Sequence, residues 1–383
     1  MCGRALRFSR CAPILLAVVS HAAWAGVPAG APPADAAAAG DREAPSGAAL
    51  DWAVKITAES VTNLAGGVAR GTVFDDKVLA VFSLDTGALG LWHGGSFLAS
   101  VLQISSGLPS RRLVGDTQGV SNIAARSASR VNELWYAQSL GGAGPVVRGG
   151  LIDLNRFFAV VEPAQLLINS SFGILPTVSA DTRASIYPQV GLGLMAGAAR
   201  GPWTAQAAVF QGDPARRGAP FADGYLAISE VRHDAREASP GAIAWKVGVW
   251  TRRGAARATP ADVNGAYAIA ERRLSTGSFL PVALFAQVGW TGGHLEPVSS
   301  FLGAGVDVEV RRTGRPSDHL SLGFARAALR QPSGSAETSW EVAYFRPLLA
   351  QLAVQPDLQY VVHPAGLHAN ALVAIFRVRV AVR

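Results

Sequence analysis

The sequence has 383 residues, of which 49% are hydrophobic, and it carries a net charge of +7 at pH 7 with a mean hydropathy of +0.24. Its 42 glycines and 22 prolines stay below the share that signals low-complexity disorder, so most of the chain is expected to fold. The basic excess is almost all arginine and forms no stripe interleaved with aromatic residues, which argues against a nucleic-acid-binding protein.

The N-terminal segment 1–25 has the features of a secretory signal peptide. Three arginines precede an apolar run over residues 13–19, and Ala-Trp-Ala at 23–25 fits an A-x-A cleavage site. The apolar run is shorter than the about 20 residues that a spanning helix needs, which favours export with cleavage over a membrane anchor. The mature chain is therefore predicted to start at Gly26.

The cysteines and the segment after the signal peptide set further bounds. Both cysteines, Cys2 and Cys11, lie within the predicted signal peptide, so the mature chain would have no disulfide, thiolate metal ligand or cysteine nucleophile. Residues 26–49 are rich in proline, alanine and glycine without an apolar period, and they are predicted to form a flexible spacer.

Hydrophobic and polar residues alternate from Leu50 onward. In residues 52–59 tryptophan, valine, isoleucine and alanine fall on even positions, while alanine, lysine, threonine and glutamate fall on odd ones. The same alternation returns in residues 340–344, 352–360 and 376–382. A period of two predicts strands with one apolar face, and segments rich in Gly, Pro, Asp and Ser predict the turns between them.

These features favour an all-β fold, a transmembrane antiparallel β-barrel formed by residues 50–383. An exported chain of alternating strands can face lipid on one side and water on the other. A soluble sandwich or jelly roll gives a similar alternation and stays open as the alternative. At about 10 residues per strand and about 10 per connection, the segment accommodates about 16 strands, and a barrel of that size encloses an aqueous channel.

The central part of the sequence resembles a known family. The motifs GDTQGVSNIAA, VNELWYAQ, VRGGLIDLNRFFA, LLINSSFGILPTVS and SIYPQVGLGL follow in this order between residues 115 and 194. They are similar to the central block of the carbohydrate-selective porin family, the OprB type of Gram-negative outer membranes. The resemblance implies a monomeric 16-stranded barrel through which glucose and similar sugars diffuse passively. It also implies a channel with no cofactor and no covalent chemistry.

A sugar-selective pore needs hydrogen-bonding groups for hydroxyls and a flat apolar surface for the sugar ring. In VNELWYAQ, Glu133 and Trp135 share one face of the strand, while Leu134 and Tyr136 share the other. If the charged face points inward, Trp135 enters the pore. The alternative is that Trp135 and Tyr136 belong to the aromatic girdle at the membrane interface. The predicted pore-lining residues are Asp116, Gln118, Ser121, Asn122, Glu133, Trp135, Arg148, Glu341, Gln355, Gln359 and Arg377.

Other functions find less support in the sequence. The histidines show no H-E-x-x-H spacing, no G-x-S-x-G elbow is present, and no nucleophile stands with a base and its orienter, so an enzyme is not expected. A general or non-sugar porin, or a structural barrel with a closed lumen, remains an alternative. Expected partners are sugars, outer-membrane lipid, lipopolysaccharide phosphates and the barrel-assembly machinery.

Overall fold

The computed structural model describes residues 49–141, 144–236, 239, 241–254, 262–274, 280–312 and 314–383. The predicted signal peptide and all but the last residue of the predicted spacer lie outside this range. The chain divides into two units, residues 1–33 and 34–383, and every described residue belongs to the second. Among the described residues, no helix is long and apolar enough to cross a bilayer.

The described part of the chain forms a closed antiparallel barrel of sixteen strands. Each strand pairs with the next one along the chain, and the last strand pairs with the first, so the prediction of an all-β barrel of about 16 strands is confirmed. The strands are β1 Leu50–Ala65, β2 Gly71–Asp85, β3 Gly95–Ser106, β4 Ala128–Ser139, β5 Val146–Ile152, β6 Gly191–Arg200, β7 Trp203–Gln211, β8 Tyr225–His233, β9 Ile243–Arg253, β10 Val263–Leu274, β11 Val282–Thr291, β12 Val298–Arg312, β13 Arg315–Leu329, β14 Ala336–Leu349, β15 Leu352–Val362 and β16 Ala371–Val382.

The period-two alternation places side chains on the two faces of the wall. In β1, Trp52 and Ile56 are exposed on the outer face, whereas Glu59, Val61 and Asn63 are buried on the inner face. Closure of the sheet leaves no unpaired edge, which a strand segment in hydrocarbon requires because lipid offers no hydrogen bonds.

The connections differ in length between the two ends of the barrel. Residues 201–202 and 350–351 are tight turns at the end that also carries the start of β1 and the end of β16. The opposite end carries the long connections 107–127 and 153–190. Because bacterial outer-membrane barrels have short periplasmic turns and long external loops, the first end is assigned to the periplasm.

Short helical segments occur only in connections among the described residues. The two α-helices are α1 Ser170–Gly173 and α2 Pro176–Ser179, both within the 153–190 connection. The remaining turns are a π turn at Ser110–Val114 and 3₁₀ turns at Leu154–Arg156, Glu162–Ala164 and Pro364–Gly366.

Candidate functional site

The connection from β5 to β6, residues 153–190, folds into the barrel and is called here the constriction loop. Its side chains Phe158, Phe172 and Leu175 are fully buried in one apolar cluster with the inner wall. The rings of Phe172 and Phe285 meet edge to face with centroids 6.0 Å apart. Gly323 permits this approach, since a Cβ there would lie 2.5 Å from Cζ of Phe172. Burial of apolar surface therefore holds the loop against the wall.

Carboxylates on the inner wall accept hydrogen bonds from the backbone of the constriction loop. Glu230 accepts from the Ala159 N–H at 2.9 Å, and Glu271 accepts from the Glu162 N–H at 3.0 Å. The loop has no strand partner of its own inside the barrel, so its buried N–H groups need such acceptors. Bonds to a charged acceptor are about twice as strong as neutral ones, so these contacts anchor the loop.

A second connection, residues 107–127 between β3 and β4, covers the external side of the lumen and is called here the cap loop. Glu337 on β14 accepts from the N–H groups of Thr117 and Gln118 at 2.7 and 2.8 Å. Gln359 on β15 donates its side-chain amide to the Val120 carbonyl at 2.8 Å. The cap loop is therefore tied across the lumen to strands far from its own.

The two loops also bond to each other. The Asn122 N–H donates to the Ile168 carbonyl at 2.9 Å, and the Ser170 N–H donates to the Gly119 carbonyl at 2.8 Å. The Tyr187 hydroxyl donates to the Ile123 carbonyl at 2.5 Å. Together the loops form one internal structure, so the free lumen is what remains between them and the uncovered part of the wall.

A cavity of about 200 Å³, lined by charged, amide and apolar side chains, lies between the constriction loop and the inner faces of β16, β1, β2, β3 and β4. Its volume lies below the about 300–1,000 Å³ of typical small-molecule sites. The polar and aromatic residues that line it are Lys55, Thr57, Lys77, Asn122, Asn132, Glu133, Asp153, Asn155, Arg156, Gln165, Phe172, Tyr187, Arg377 and Arg379.

The wall side of the cavity is ordered by the register of β16, β1 and β2. Arg379, Thr57 and Lys77 stand directly opposite one another in one row across these strands. In the next row towards the exterior, the Nε of Arg377 donates to Oε2 of Glu59 at 2.6 Å, and both residues are almost fully buried. The paired carboxylate thus fixes the guanidinium of Arg377 at the cavity.

Arg156 of the constriction loop and Glu133 of β4 meet at the edge of the cavity. The Nε of Arg156 donates to both carboxylate oxygens of Glu133, at 2.9 and 3.1 Å, and a second guanidinium nitrogen completes the ion pair. Asp153 accepts from the Asn155 N–H at 2.8 Å, which sets the first turn of the loop. Donors and acceptors therefore face each other across a narrow opening.

The predicted residues Glu133, Trp135 and Arg148 come together in the structure. The Trp135 indole N–H donates to Oε1 of Glu133 at 3.2 Å, and the Arg148 guanidinium lies 4.7 Å from the Trp135 ring and 4.2 Å from the Phe157 ring. Trp135 is 4% exposed and does not line the cavity, because Arg148 and Phe157 cover its ring. Stacking of a sugar on Trp135 stays a prediction.

Tyr136 points to the opposite side of β4, as the alternation predicts. Its ring contacts Phe97 and Trp92 on the outer wall, and its hydroxyl accepts from the Trp92 indole N–H at 2.8 Å. Trp203 and Trp245 form a second aromatic cluster at the same periplasmic end of the wall. Such rings are typical of the aromatic girdle at a membrane interface, so the girdle reading fits Tyr136 and not Trp135.

Among the predicted residues of the cap loop, only Asn122 lines the cavity. Gln118 and Ser121 are buried, and the Ser121 hydroxyl donates to Glu59, which ties the cap loop to β1. Burial and then the nearby charge of Glu337 raise the pKa of Asp116 to about 7. The Gln118 and Ser121 side chains hold the loop in place, and contact of Asp116, Gln118 and Ser121 with sugar stays a prediction.

The predicted residues Glu341, Gln355 and Gln359 point inward but are also covered by the internal loops. Glu341 accepts from the Asn169 N–H at 3.1 Å, and the Gln355 side chain donates to the Leu166 carbonyl. The alternation of the strands predicts that these side chains touch the solute. In the structure, the constriction loop and the cap loop occupy the space beside them. Their contact with sugar stays a prediction, whereas Arg377 and Glu133 line the cavity.

Several cavity residues were missed from the sequence. Lys55 and Arg379 have the parity of Glu59 and Arg377 in their own strands, so alternation could have found them. Lys77 is one of only three lysines and lies on the inner face of β2. No pattern in the sequence places Arg156 at the cavity, because its position depends on how the constriction loop folds.

Comparison with known proteins fits this architecture. The model of the family described as "Carbohydrate-selective porin, OprB family" matches residues 74–251 and 219–382. Among solved structures, the high-pH form of Pseudomonas putida OprB superposes with a TM-score of 0.74 at 17% identity, covering 87% of this chain and 94% of that one. The low-pH form of Pseudomonas putida OprB gives a TM-score of 0.58 at 16% identity, covering 87% of this chain and 93% of that one.

More distant barrels share the fold as well. A mutant of the Rh. blastica porin gives a TM-score of 0.57 at 11% identity, covering 87% of this chain and 100% of that one. No match was found among curated protein sequences. At these identities the solved structures support the fold, while the family match spans most of the barrel. The chain therefore belongs to the carbohydrate-selective porin family and forms an outer-membrane β-barrel.

Proposed function

We propose that the protein lets glucose and similar sugars diffuse passively across the outer membrane through the cavity beside the constriction loop. The observation that carries this proposal is the composition of the cavity. Guanidinium, ammonium, carboxylate, amide and hydroxyl groups surround an opening of about 200 Å³, with the rings of Phe172 and Tyr187 beside them. A sugar presents hydroxyls around its edge and apolar faces, and this lining offers partners for both.

A sugar that passes through such a cavity replaces hydrogen bonds with water by hydrogen bonds with the protein. Asn122, Asn155 and Gln165 donate and accept hydrogen bonds, while Arg156 and Glu133 hold each other in a fixed geometry that sugar hydroxyls can bridge. Conduction needs binding that is favourable enough for entry and weak enough for release. Neutral amide and hydroxyl contacts contribute about 0.5–1.5 kcal/mol each, which suits a transient complex.

The proposed activity needs no cofactor and no covalent step. A channel of this family moves solute down its gradient. Four carboxylates of the inner wall bond to backbone N–H groups or arginines, namely Glu59, Glu133, Glu230 and Glu271. The proposal therefore assigns these carboxylates to structure and solute contact and not to catalysis.

The remaining parts of the proposal concern the chain as it is made and placed. Residues 1–25 would be removed as a signal peptide, and residues 26–49 would act as a spacer before the barrel. The protein would act as a monomer, be inserted by the barrel-assembly machinery and contact lipopolysaccharide through exposed arginines outside the lumen.

Single-channel conductance of the refolded mature chain in a planar bilayer tests the proposal. Glucose should block the current in a saturable way, and an uncharged non-sugar of similar size should not. Stable conductance that glucose leaves unchanged would overturn sugar selectivity and indicate a general or differently selective porin. A folded barrel without conductance would indicate a structural role with a closed lumen.

A further inference from the structure

The side chain of Glu162, on the constriction loop, lies among arginines at the periplasmic end of the barrel. One carboxylate oxygen of Glu162 pairs with Nη2 of Arg232 at 3.1 Å, and the other pairs with Nη2 of Arg236 at 3.2 Å. Arg273 approaches the second oxygen at 3.5 Å, but its side chain is mostly exposed, so that pair contributes less. Arg232 lies near the end of β8, and Arg236 lies in the connection that follows. Ion pairs therefore join the constriction loop to a periplasmic turn.

Asp234 holds the two arginines in the position from which they reach the loop. Its carboxylate accepts from Nε and Nη2 of Arg236 at 2.8 and 2.6 Å, and from Nη2 of Arg232 at 2.5 Å. The Asp234 N–H donates to the Pro202 carbonyl at 2.8 Å, which fixes Asp234 to the neighbouring periplasmic turn. Charges that share partners form a network, which contributes more than an isolated exposed pair. Arg232, Asp234 and Arg236 are called here the periplasmic clamp.

The backbone beside the Glu162 side chain is held to the wall as well. Lys246 donates to the Val160 carbonyl, and Glu271 accepts from the Glu162 N–H at 3.0 Å. Lys246 and Glu271 also pair with each other at 3.0 Å, and both are buried. The wall and the periplasmic clamp therefore hold residues 160–162 from two sides.

The neighbours of Glu162 line the cavity, whereas Glu162 itself does not. Val161, Ala164 and Gln165 belong to the lining. Glu162 begins the 3₁₀ turn Glu162–Ala164, in which the N–H groups of Ala164 and Gln165 donate to the carbonyls of Val161 and Glu162 at 3.3 and 3.4 Å. Because the turn is short and closed by these bonds, a shift of Glu162 moves the lining residues with it.

We propose that Glu162 is a positioning residue for solute passage, which the periplasmic clamp holds so that its neighbours form one side of the cavity. The inference rests on the proposed function, because it assigns the residues that position its cavity. A change at the clamp would alter the cavity without touching the solute. The four side chains are between 15% and 31% exposed, so dissolved salt reaches their ion pairs.

The first test replaces Glu162 by glutamine in the refolded mature chain and measures backbone hydrogen exchange. Glu162→Gln removes the charge but keeps the length of the side chain and the backbone N–H. Exchange at the N–H groups of residues 162–165 should become about threefold to tenfold faster, and half-block by glucose should require about twofold to fivefold more sugar. Glu309→Gln, whose described hydrogen bonds are with Arg311 and Ser317, is the matched control and should change neither.

A second variant changes the clamp and leaves the loop sequence intact. Asp234→Asn removes the charge that holds Arg232 and Arg236, at a position that does not line the cavity. It should speed the same exchange about twofold to fivefold. Combined with Glu162→Gln, it should add little to the effect of Glu162→Gln alone, because both changes break one network. Fully additive effects would contradict the clamp.

Salt supplies a readout that a purely structural contact does not give. From about 0.1 M to about 1 M salt the screening length falls from about 10 Å to about 3 Å, so exchange at residues 162–165 of the wild type should approach that of Glu162→Gln. The variant should respond less, since the central charge of the network is gone. An equal response of both proteins to salt would contradict a role of these ion pairs.

The outcomes separate this inference from the proposed function. Unchanged exchange in Glu162→Gln overturns the positioning role while sugar selectivity stands. Faster exchange with unchanged glucose block overturns it as well, because the clamp then holds the loop without setting the cavity. If Glu162→Gln does not refold, Asp234→Asn and the salt response of the wild type decide in the same way. Absence of glucose block in the wild type defeats the proposed function, and a higher single-channel conductance in Glu162→Gln than in the wild type would still support the clamp, whereas equal conductance would overturn it.

Discussion

The inner faces of two parts of the barrel wall have different neighbours. On the packed wall, strands β6 to β13, the inner face carries large apolar side chains such as Phe210, Trp250 and Phe285, which lie against the constriction loop. On the pore wall, strands β16 and β1 to β4, the inner face carries Lys55 and Lys77 and meets the cavity. The constriction loop thus fills the lumen beside the packed wall, and the cavity lies beside the pore wall.

This difference indicates that a wide barrel becomes selective when an internal loop fills most of its lumen. Sixteen strands enclose far more space than one sugar needs, and a wide lumen would discriminate little. The packed wall supplies the rigid backing from which Arg156 reaches its partner Glu133 on the pore wall side. Disturbing either half should therefore have distinct effects on conductance and on sugar block.

The largest effect is expected from Phe172→Ala, which opens a hole between the constriction loop and the packed wall. Phe172 is fully buried against Phe285, and loss of such a ring costs about 3–5 kcal/mol. The loop should loosen, single-channel conductance should rise and glucose block should weaken. Phe376→Ala on the exposed outer face of β16 is the matched control and should leave conductance unchanged. Equal conductance in the two variants would contradict the claim that packing of Phe172 against the wall narrows the lumen.

A smaller effect is expected from Glu230→Ala, which removes a polar anchor of the same wall. Glu230 accepts from the Ala159 N–H at 2.9 Å and from the Tyr267 hydroxyl at 2.8 Å, so both donors would be left buried without it. An unsatisfied buried donor costs about 1–3 kcal/mol. Open-channel current noise should increase as the loop fluctuates, and hydrogen exchange at Ala159 should speed up.

The control for this anchor is Glu309→Ala on β12. Its described hydrogen bonds are with Arg311 and Ser317 near the periplasmic end, so the same change of residue does not touch the loop. If hydrogen exchange at Ala159 is no faster in the Glu230 variant than in the control, wall carboxylates do not hold the loop.

On the pore wall, Glu133→Gln should act on selectivity and leave the fold in place. The substitution removes one of two carboxylates from the cavity and weakens the bidentate pair with Arg156. Half-block by glucose should require about threefold to tenfold more sugar, and chloride permeability should rise relative to potassium. Asp307→Asn, paired with His319 on the inner wall near the periplasmic end, should shift both quantities less. An unchanged reversal potential would remove Glu133 from the conduction path.

The same contrast explains how much the sequence could predict. The clear alternation in residues 52–59 and 376–382 belongs to β1 and β16, where polar side chains face the cavity. Barrel type and the approximate strand number follow from such segments together with length. On the packed wall, apolar side chains such as Phe210 lie on the inner face beside charged ones such as Glu230 and Lys246, so the alternation of polarity is less regular there.

The site was less predictable than the fold because it depends on a loop. Parity placed Glu133 and Arg377 on the inner face, and both line the cavity. Parity could not show that the constriction loop covers Glu341 and Gln355, since that depends on the long-range packing of Phe172. The motif GDTQGVSN likewise predicts a set of sugar contacts, whereas its backbone and the side chains of Gln118 and Ser121 hold the cap loop to distant strands.

The smallest expected effect concerns the pH dependence of the cap loop. Burial and the charge of Glu337 raise the pKa of Asp116 to about 7, above its ordinary value of about 3.9 in an unfolded chain. The folded loop therefore binds a proton more tightly than the unfolded one, and this contribution to stability is present at low pH and is lost between about pH 4 and about pH 7. Limited proteolysis of residues 107–127 should consequently become faster from about pH 5 to about pH 8.

Replacement of Asp116 by asparagine separates this carboxyl from every other titrating group. Asp116→Asn cannot ionise, so the rate of cleavage within the cap loop should lose most of its dependence on pH, while glucose block changes little because Asp116 does not line the cavity. Asp223→Asn, in the exposed 212–224 connection where Asp223 pairs with Arg216, should keep the wild-type profile. If the asparagine variant keeps that profile too, the pH dependence arises elsewhere. If it flattens, ionisation of Asp116 controls the stability of the cap loop.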